Sequence, residues 1–365
     1  EVRGHLRFWW RATRGGQFGG KLADMKAAED VLWGSASTKN GGGPSLVQVE
    51  VNALNFGRPE IVYAVNRYAN NGNPVPDHQK KSQAPEYVSF PLQPKREETE
   101  IGWKSKPIML DIAFTVTLRF PVETKYRDAD WKIEPEINAA CKAWEAFGGI
   151  GARTRRGFGA LSLEKINNEE VKKYWPSSQP NACAQWVNDI LKTCTGEWDS
   201  NIPHLSPQVK FAVTRKPDSA TKVWGDLVSA FKNFRGQVDD VPYRKRDLQA
   251  INRLLAAKGS RESIKDFQRA TLGLPLIYQN LKNVYANGHR VETITLQGGS
   301  KTQQRFASPL ILRPLACQND KFLGLAILLD GSSLPNDLVL DGYDAIIETS
   351  DATELNVATA FINSL

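Results

Sequence analysis

Gly148-Gly149-Ile150-Gly151-Ala152-Arg153-Thr154-Arg155-Arg156-Gly157-Phe158-Gly159-Ala160-Leu161 is the stretch on which the fold turns. Five glycines and three arginines fall within its first twelve residues, with no acid among them. Glycine lets a backbone turn sharply and come close to a ligand. Exposed amides beside guanidinium groups suit phosphates, especially a chain of them. Upstream, Ile137, Ala140, Cys141 and Trp144 recur at helical spacing; downstream, Ala160, Leu161, Leu163 and Ile166 have the alternation of a strand. The run is therefore a helix-to-strand connection. A dinucleotide fingerprint has the opposite order, and it would need a glycine at Thr154. No Walker sequence is present. A mobile basic surface loop is the plain alternative. The density of arginine favours nucleic acid, held through Gly149, Gly151, Arg153, Thr154, Arg155, Arg156 and Gly157.

The opening residues carry a second basic feature. Arg3, Arg7, Arg11 and Arg14 are spaced by four, four and three, which puts them on one stripe of a helix. Leu6, Trp9 and Trp10 fall on an adjacent face that would pack inward. Four like charges without interleaved acids repel one another, a cost that phosphates lying across the stripe would relieve. A solvated face is the alternative.

Between these features, residues 46–54 alternate as a half-buried strand that 61–65 extends. Residues 70–106 are polar and rich in Pro, Asn and Lys, a long insertion outside the core. Residues 108–120 form one strand, and 133–147 the helix that feeds the glycine run. A boundary in the Pro-containing stretch beyond residue 167 gives two units, 1–170 and 171–365. The second unit carries helices over 182–194, 223–234, 248–257 and 352–365. Its strands fall at 209–213, 291–296, 310–315 and 322–329. Both units are α+β.

A length of 365 residues is comfortable for two domains, and 41% apolar with 24% charged residues describes an ordinary globular protein. The net charge of +7 favours an acidic partner such as RNA. Some of the ten tryptophans could stack bases. Cys141, Cys183, Cys194 and Cys317 are scattered, with no zinc or redox spacing, and are expected as free thiols in a reducing cytoplasm. No metal or other cofactor is expected. No membrane-spanning run and no signal-peptide pattern is present.

Catalysis has few candidates. Metal-free RNA cleavage needs a base for the 2′-hydroxyl and an acid for the leaving oxygen, often histidine. His5 lies beside the arginine stripe but is turned away from Arg3 and Arg11; His78, His204 and His289 form no pair. Asp239-Asp240 reads as a loop. Asp330, Asp337, Asp341 and Asp344 match no metal-binding loop and suit turns. A binding protein without its own catalysis is expected; the alternatives are an endoribonuclease with His5 as base, or a scaffold that holds no RNA.

The helix, the Arg-Thr-Arg-Arg-Gly-Phe-Gly loop and the following strand resemble the signature of RAMP proteins of CRISPR systems. The opening Val2-Arg3-Gly4-His5-Leu6-Arg7-Phe8-Trp9-Trp10-Arg11 resembles the first helix of the Cmr-one subfamily of type III-B effector complexes. Leu272-Gly273-Leu274-Pro275-Leu276 and Arg305-Phe306-Ala307-Ser308-Pro309-Leu310 fit the same family. The resemblance implies tandem ferredoxin-like, RRM-like domains. The family begins with a strand and a Gly-Gly turn before this helix, so the first strand of the first domain is expected to be missing. It further implies an RNA-binding subunit near the 3′ end of the guide RNA that helps capture target RNA beside other RAMP subunits. Arg269 and Arg305 precede the two later motifs and join the expected RNA contacts.

Overall fold

A computed structural model describes residues 1–36, 42–63, 65–68, 74–76, 82, 84–92, 95–96, 103–104, 107–127, 129–199, 201–236, 243–256, 260–279, 281, 284–286, 288–300, 303–350 and 357–365. The chain opens with α1 (Val2–Arg14), which buries Val2, Leu6, Trp9 and Trp10. Complete burial of Leu6 contributes roughly 1.5–3 kcal/mol. A tight turn at Gly15–Phe18 leads into α2 (Leu22–Trp33), whose buried residues Met25, Ala28, Leu32 and Trp33 join the same core. Its mixed Lys-Ala-Ala-Glu composition gave no clear stripe in the sequence.

Next come β1 (Gln48–Asn55), β2 (Arg58–Ile61), β3 (Pro107–Leu110) and β4 (Ala113–Arg119). β1 and β4 pair antiparallel, with Val49 opposite Leu118, Val51 opposite Val116 and Ala53 opposite Phe114. β2 and β3 continue the ribbon. The single strand expected over 108–120 is two strands, broken where Asp111 takes φ 59°. α3 (Ile133–Phe147) packs along α1. The strand expected after the glycine run is short: only Lys165–Ile166 pairs, with Glu169–Glu170.

The rest of the chain supplies α4 (Pro180–Leu191), β5 (Phe211–Val213), α5 (Ala220–Gly236), α6 (Tyr243–Ala256) and β6 (Ser260–Ser263). After these come β7 (Leu276–Gln279), β8 (Thr293–Gly298), β9 (Leu310–Cys317) and β10 (Lys321–Leu328). β11 (Asp337–Leu340), β12 (Ala345–Glu348) and α7 (Val357–Asn363) end it. One sheet has the order β5-β10-β9 and is antiparallel. Another has the order β6-β12-β11-β8-β7, antiparallel except for the β6–β12 pair. The architecture is thus mixed α and β with small, mostly antiparallel sheets.

The first core joins α1, α2 and α3 to β9 and β10, through residues such as Trp10, Phe147, Ile311 and Leu325. A second lies under the five-stranded sheet and α6. A third joins α5 to α7. The insertion at 70–106 is not wholly outside the cores. Ala84 and Val88 are buried against Trp224 and Val228 of α5. Among the described residues, no helix is long and apolar enough to cross a membrane, and all four cysteines are free.

Candidate nucleic-acid interface

The glycine run leaves α3 as a closed loop. Its neck is tied by the Ile150 amide, which donates to Gly159 O at 2.9 Å, and the Trp144 indole donates to Gly149 O at 3.0 Å. Gly159 has φ 59°, and a Cβ there would lie 1.8 Å from Ile150 O. Gly157, at φ 88°, lets the Trp224 indole of α5 pass; a Cβ would sit 2.4 Å from its Nε1. That indole donates to Arg156 O at 2.8 Å, and Phe158 meets the Trp224 ring edge-on at 4.9 Å. Thr154–Arg156 forms one tight helical turn. The loop is therefore docked on α5, so the reading as a mobile surface loop falls away.

The base of the loop is fixed by a residue the sequence did not mark. Arg313 of β9 is 1 % exposed. Its Nη1 donates to Glu145 O at 2.6 Å and Gly148 O at 2.8 Å, and its Nη2 to Leu161 O at 2.7 Å. It thus satisfies carbonyls at the end of α3, which a helix leaves without partners, and holds both legs of the loop. Burial pulls this guanidinium down to about 10, against the opposing pull of Glu145.

Four stretches far apart in sequence meet at Arg155 and Arg156. Arg155 donates to Ser308 O and lies 5.8 Å from the Phe8 ring centre. Arg156 donates to Leu310 O at 2.7 Å and Leu272 O at 3.3 Å. The Leu274 amide donates to Phe306 O at 2.8 Å, which ties the two later motifs together. All the stretches that carried the family resemblance therefore converge at one seam. Both guanidiniums also serve the fold, a correction to the expectation of free phosphate-binding side chains. Burial pushes Arg155 below its ordinary value. Burial, with the charges of Arg235, Arg153 and Arg155, lowers Arg156 to about 9.

The stripe on α1 is only partly available, because acids from other elements answer it. Arg7 Nε donates to Glu29 Oε1 at 2.8 Å, and Arg11 Nε lies 3.5 Å from Glu29 Oε2. Arg14 donates to Glu136 Oε1 through Nε at 3.1 Å and Nη2 at 2.8 Å. Glu29 and Glu136 are both buried. The repulsion expected along the stripe is thus relieved from within, and these three arginines are chiefly structural. Arg3 is exposed and makes no ion pair among the described residues. It stands at the end of α1 that meets the loop: the Gly151 amide donates to Glu1 Oε1 at 2.9 Å. A carboxylate on that amide shows that the loop backbone presents a donor to an anion.

Arg153 and Arg305 are likewise exposed and without an ion pair among the described residues. Burial lowers Arg153 somewhat, with Tyr63 opposing. Gly149 is buried and Thr154 is half-buried. Arg269 is placed differently from expectation. It pairs with fully buried Asp247, which also accepts from Tyr278 Oη at 2.7 Å. Its guanidinium therefore works inside the second unit.

Among the described residues, the histidines do not assemble a catalytic pair. His5 stacks on Trp144 with ring centres 6.0 Å apart, and its Nε2 is 3.6 Å from Glu1 Oε1. His204 stacks on Trp198 at 4.6 Å. His78, Asp239 and Asp240 lie outside the described residues. Among the described residues, no three His, Cys, Asp or Glu side chains are grouped to hold a metal; Asp330 accepts from the Ser206 hydroxyl at 2.7 Å instead.

Comparison with known proteins gives the same direction. Residues 1–162 match the model of the RAMP superfamily. The CRISPR system Cmr subunit Cmr1-2 of Pyrococcus furiosus is 27% identical over 170 residues, 45% of this chain and 81% of that protein. A chain in a cryo-EM structure of type III-B Cmr-beta, bound to cognate target RNA and AMPPnP in the presence of ssDNA, overlays with a TM-score of 0.51. It is 14% identical, and the overlay covers 100% of this chain and 92% of that one. The apo crystal structure of Cmr1 from Pyrococcus furiosus gives 0.47 at 16% identity, over 100% of this chain and 88% of that one. Residues 1–162, from the arginine-bearing first helix through the glycine loop, thus match the RAMP superfamily, and the resemblance to Cmr-one subunits read from the sequence is borne out.

Proposed function

We propose that this protein is the RNA-binding Cmr1 subunit of a type III-B CRISPR effector ribonucleoprotein. The observation that carries this reading is the convergence of the four motif stretches on one seam whose arginines meet carbonyls rather than acids. Such a seam has an uncompensated positive field, and a phosphate backbone is the anion that fits an extended basic track. Arg3, Arg153 and Arg305 supply donors without an ion pair among the described residues. Backbone contacts position RNA without reading its sequence, which suits a subunit that must accept any guide. The place near the guide 3′ end, the help in target capture, the other RAMP subunits as neighbours and a cytoplasmic location follow from the resemblance. So do the two ferredoxin-like domains, divided near residue 170. Cutting is assigned to another subunit.

The test is single-stranded RNA binding across a salt series. Replacing Arg3, Arg153 and Arg305 with Ala should flatten the dependence of log Kd on log salt by about 0.7 per lost contact. An unchanged slope would take the seam off the RNA path and favour a scaffold. RNA cleavage by the purified protein that is lost in His5→Ala would replace the binding reading with a nuclease.

A further inference from the structure

α5 brings to the glycine loop an arginine that the sequence did not single out. Arg235, in the last turn of α5, holds its guanidinium 5.5 Å from the centre of the Phe231 ring. Arg156 holds its own 5.1 Å from the same ring. Phe231 is fully buried, so two cations share one aromatic side chain at the seam between loop and helix. Arg235 Nη1 donates to the Tyr87 hydroxyl at 2.9 Å. Its Nε is buried and has no hydrogen-bond partner among the described residues.

Among the described residues, no carboxylate makes an ion pair with the cluster of Arg153, Arg155, Arg156 and Arg235; the donors found go to carbonyls and a phenol. Burial first, and then the charges of Arg235, Arg153 and Arg155, lower Arg156. Asp247 of α6 is near enough to feel Arg235, but no hydrogen bond joins the two: Arg269 and Tyr278 both donate to its Oδ2, and its Oδ1 has no partner among the described residues. A buried donor without a partner, beside uncompensated cations, is costly unless an anion completes the site. The free edge of a guanidinium matches two oxygens of one phosphate.

We infer that Arg235, with Arg153 and the charge of Arg156, forms a phosphate subsite at the seam between the glycine loop and α5, and that Tyr87 holds the Arg235 guanidinium in place. The subsite rests on the RNA-binding reading above, and its phosphate is one of the RNA backbone. It adds a contact from α5 to a track otherwise drawn from the loop, the first helix and Arg305.

The experiment is the same salt series on the full chain carrying Arg235→Gln or Arg235→Lys, with thermal melting of each variant in parallel. Arg235→Gln should weaken RNA binding about tenfold and lower the slope by about 0.7. Arg235→Lys should keep the slope. Weakened binding with an unchanged slope would show a structural residue and overturn the subsite, as would no change at all. If the Arg3, Arg153 and Arg305 triple variant flattens the slope while Arg235→Gln does not, the seam stands and the subsite falls. If neither variant changes it, both fall. Inorganic phosphate is the second probe. A melting rise with phosphate that Arg235→Gln removes, without any change in RNA slope, would give the site to a free anion and overturn the RNA assignment.

Discussion

The arginines of α1 and those of the glycine loop look alike in sequence and are solved in opposite ways. On α1, Arg7 and Arg11 meet Glu29, and Arg14 meets Glu136. Charge meets charge, and of the four arginines of α1 Arg3 alone is without an ion pair among the described residues. In the loop, the hydrogen bonds of Arg155 and Arg156 go, among the described residues, to neutral carbonyls, as those of Arg313 do below them. Their hydrogen bonds are satisfied while their charge is not. Hydrogen bonding and charge neutralisation are separate demands, and only the second calls for an anion from outside. The difference divides a charge-paired arginine set from the set proposed to bind.

The sharpest way to break this division is to remove Arg313. Arg313→Met keeps much of the buried volume but leaves three distant carbonyls without donors. Each such loss costs about 1–3 kcal/mol, so the variant should lose about 3–5 kcal/mol in urea unfolding and lose RNA binding with it. A loss below about 1 kcal/mol would mean that the loop holds its own shape.

Glu136 tests the other side. It accepts from the Trp10 indole at 2.7 Å, from Arg14 and from Gln17 Nε2 at 3.0 Å. Glu136→Ala strands a buried indole N–H and a partly buried guanidinium, and should cost about 2–4 kcal/mol. RNA affinity per folded molecule should stay within about twofold of the parent, since Arg14 is no part of the track. A large change in the salt slope would return the α1 stripe to the binding surface.

These pairs explain what could be read in the sequence. The helices over 2–14 and 133–147 were legible because their apolar residues keep the helical period and bury one face, and the strand pair β9–β10 because it is two short, nearly continuous apolar runs. The glycine loop was legible as a tight connection because glycine stands where the backbone closes, as at Gly157 and Gly159. The acids that neutralise the α1 stripe were not legible. Glu29 is 22 residues from Arg7, and Glu136 is 122 from Arg14, so inspection along the helix finds no acid at all. Arg313 was hidden among Leu, Ile and Pro in a strand buried throughout. Arg235 was one cation in an ordinary helix until Phe231 and Tyr87 were placed beside it.

The smallest expected effect on stability is the most discriminating for function. Arg153 has φ 61° and ψ 29°, a left-handed conformation that costs an ordinary residue roughly 1–2 kcal/mol. Glycine adopts it freely but loses about 0.5–1 kcal/mol of chain entropy relative to other residues. Arg153→Gly should therefore leave stability within about 1 kcal/mol of the parent, on the favourable side, because the side chain makes no ion pair that would be lost. RNA binding should move the other way, with the salt slope reduced by about 0.7. Opposite signs in the two measurements would mean that an arginine is kept at a strained position for its charge. If Arg153→Gly instead destabilises the protein and leaves the slope intact, Arg153 belongs with the structural arginines of α1, and the division between the two sets has to be redrawn around Arg3 and Arg305.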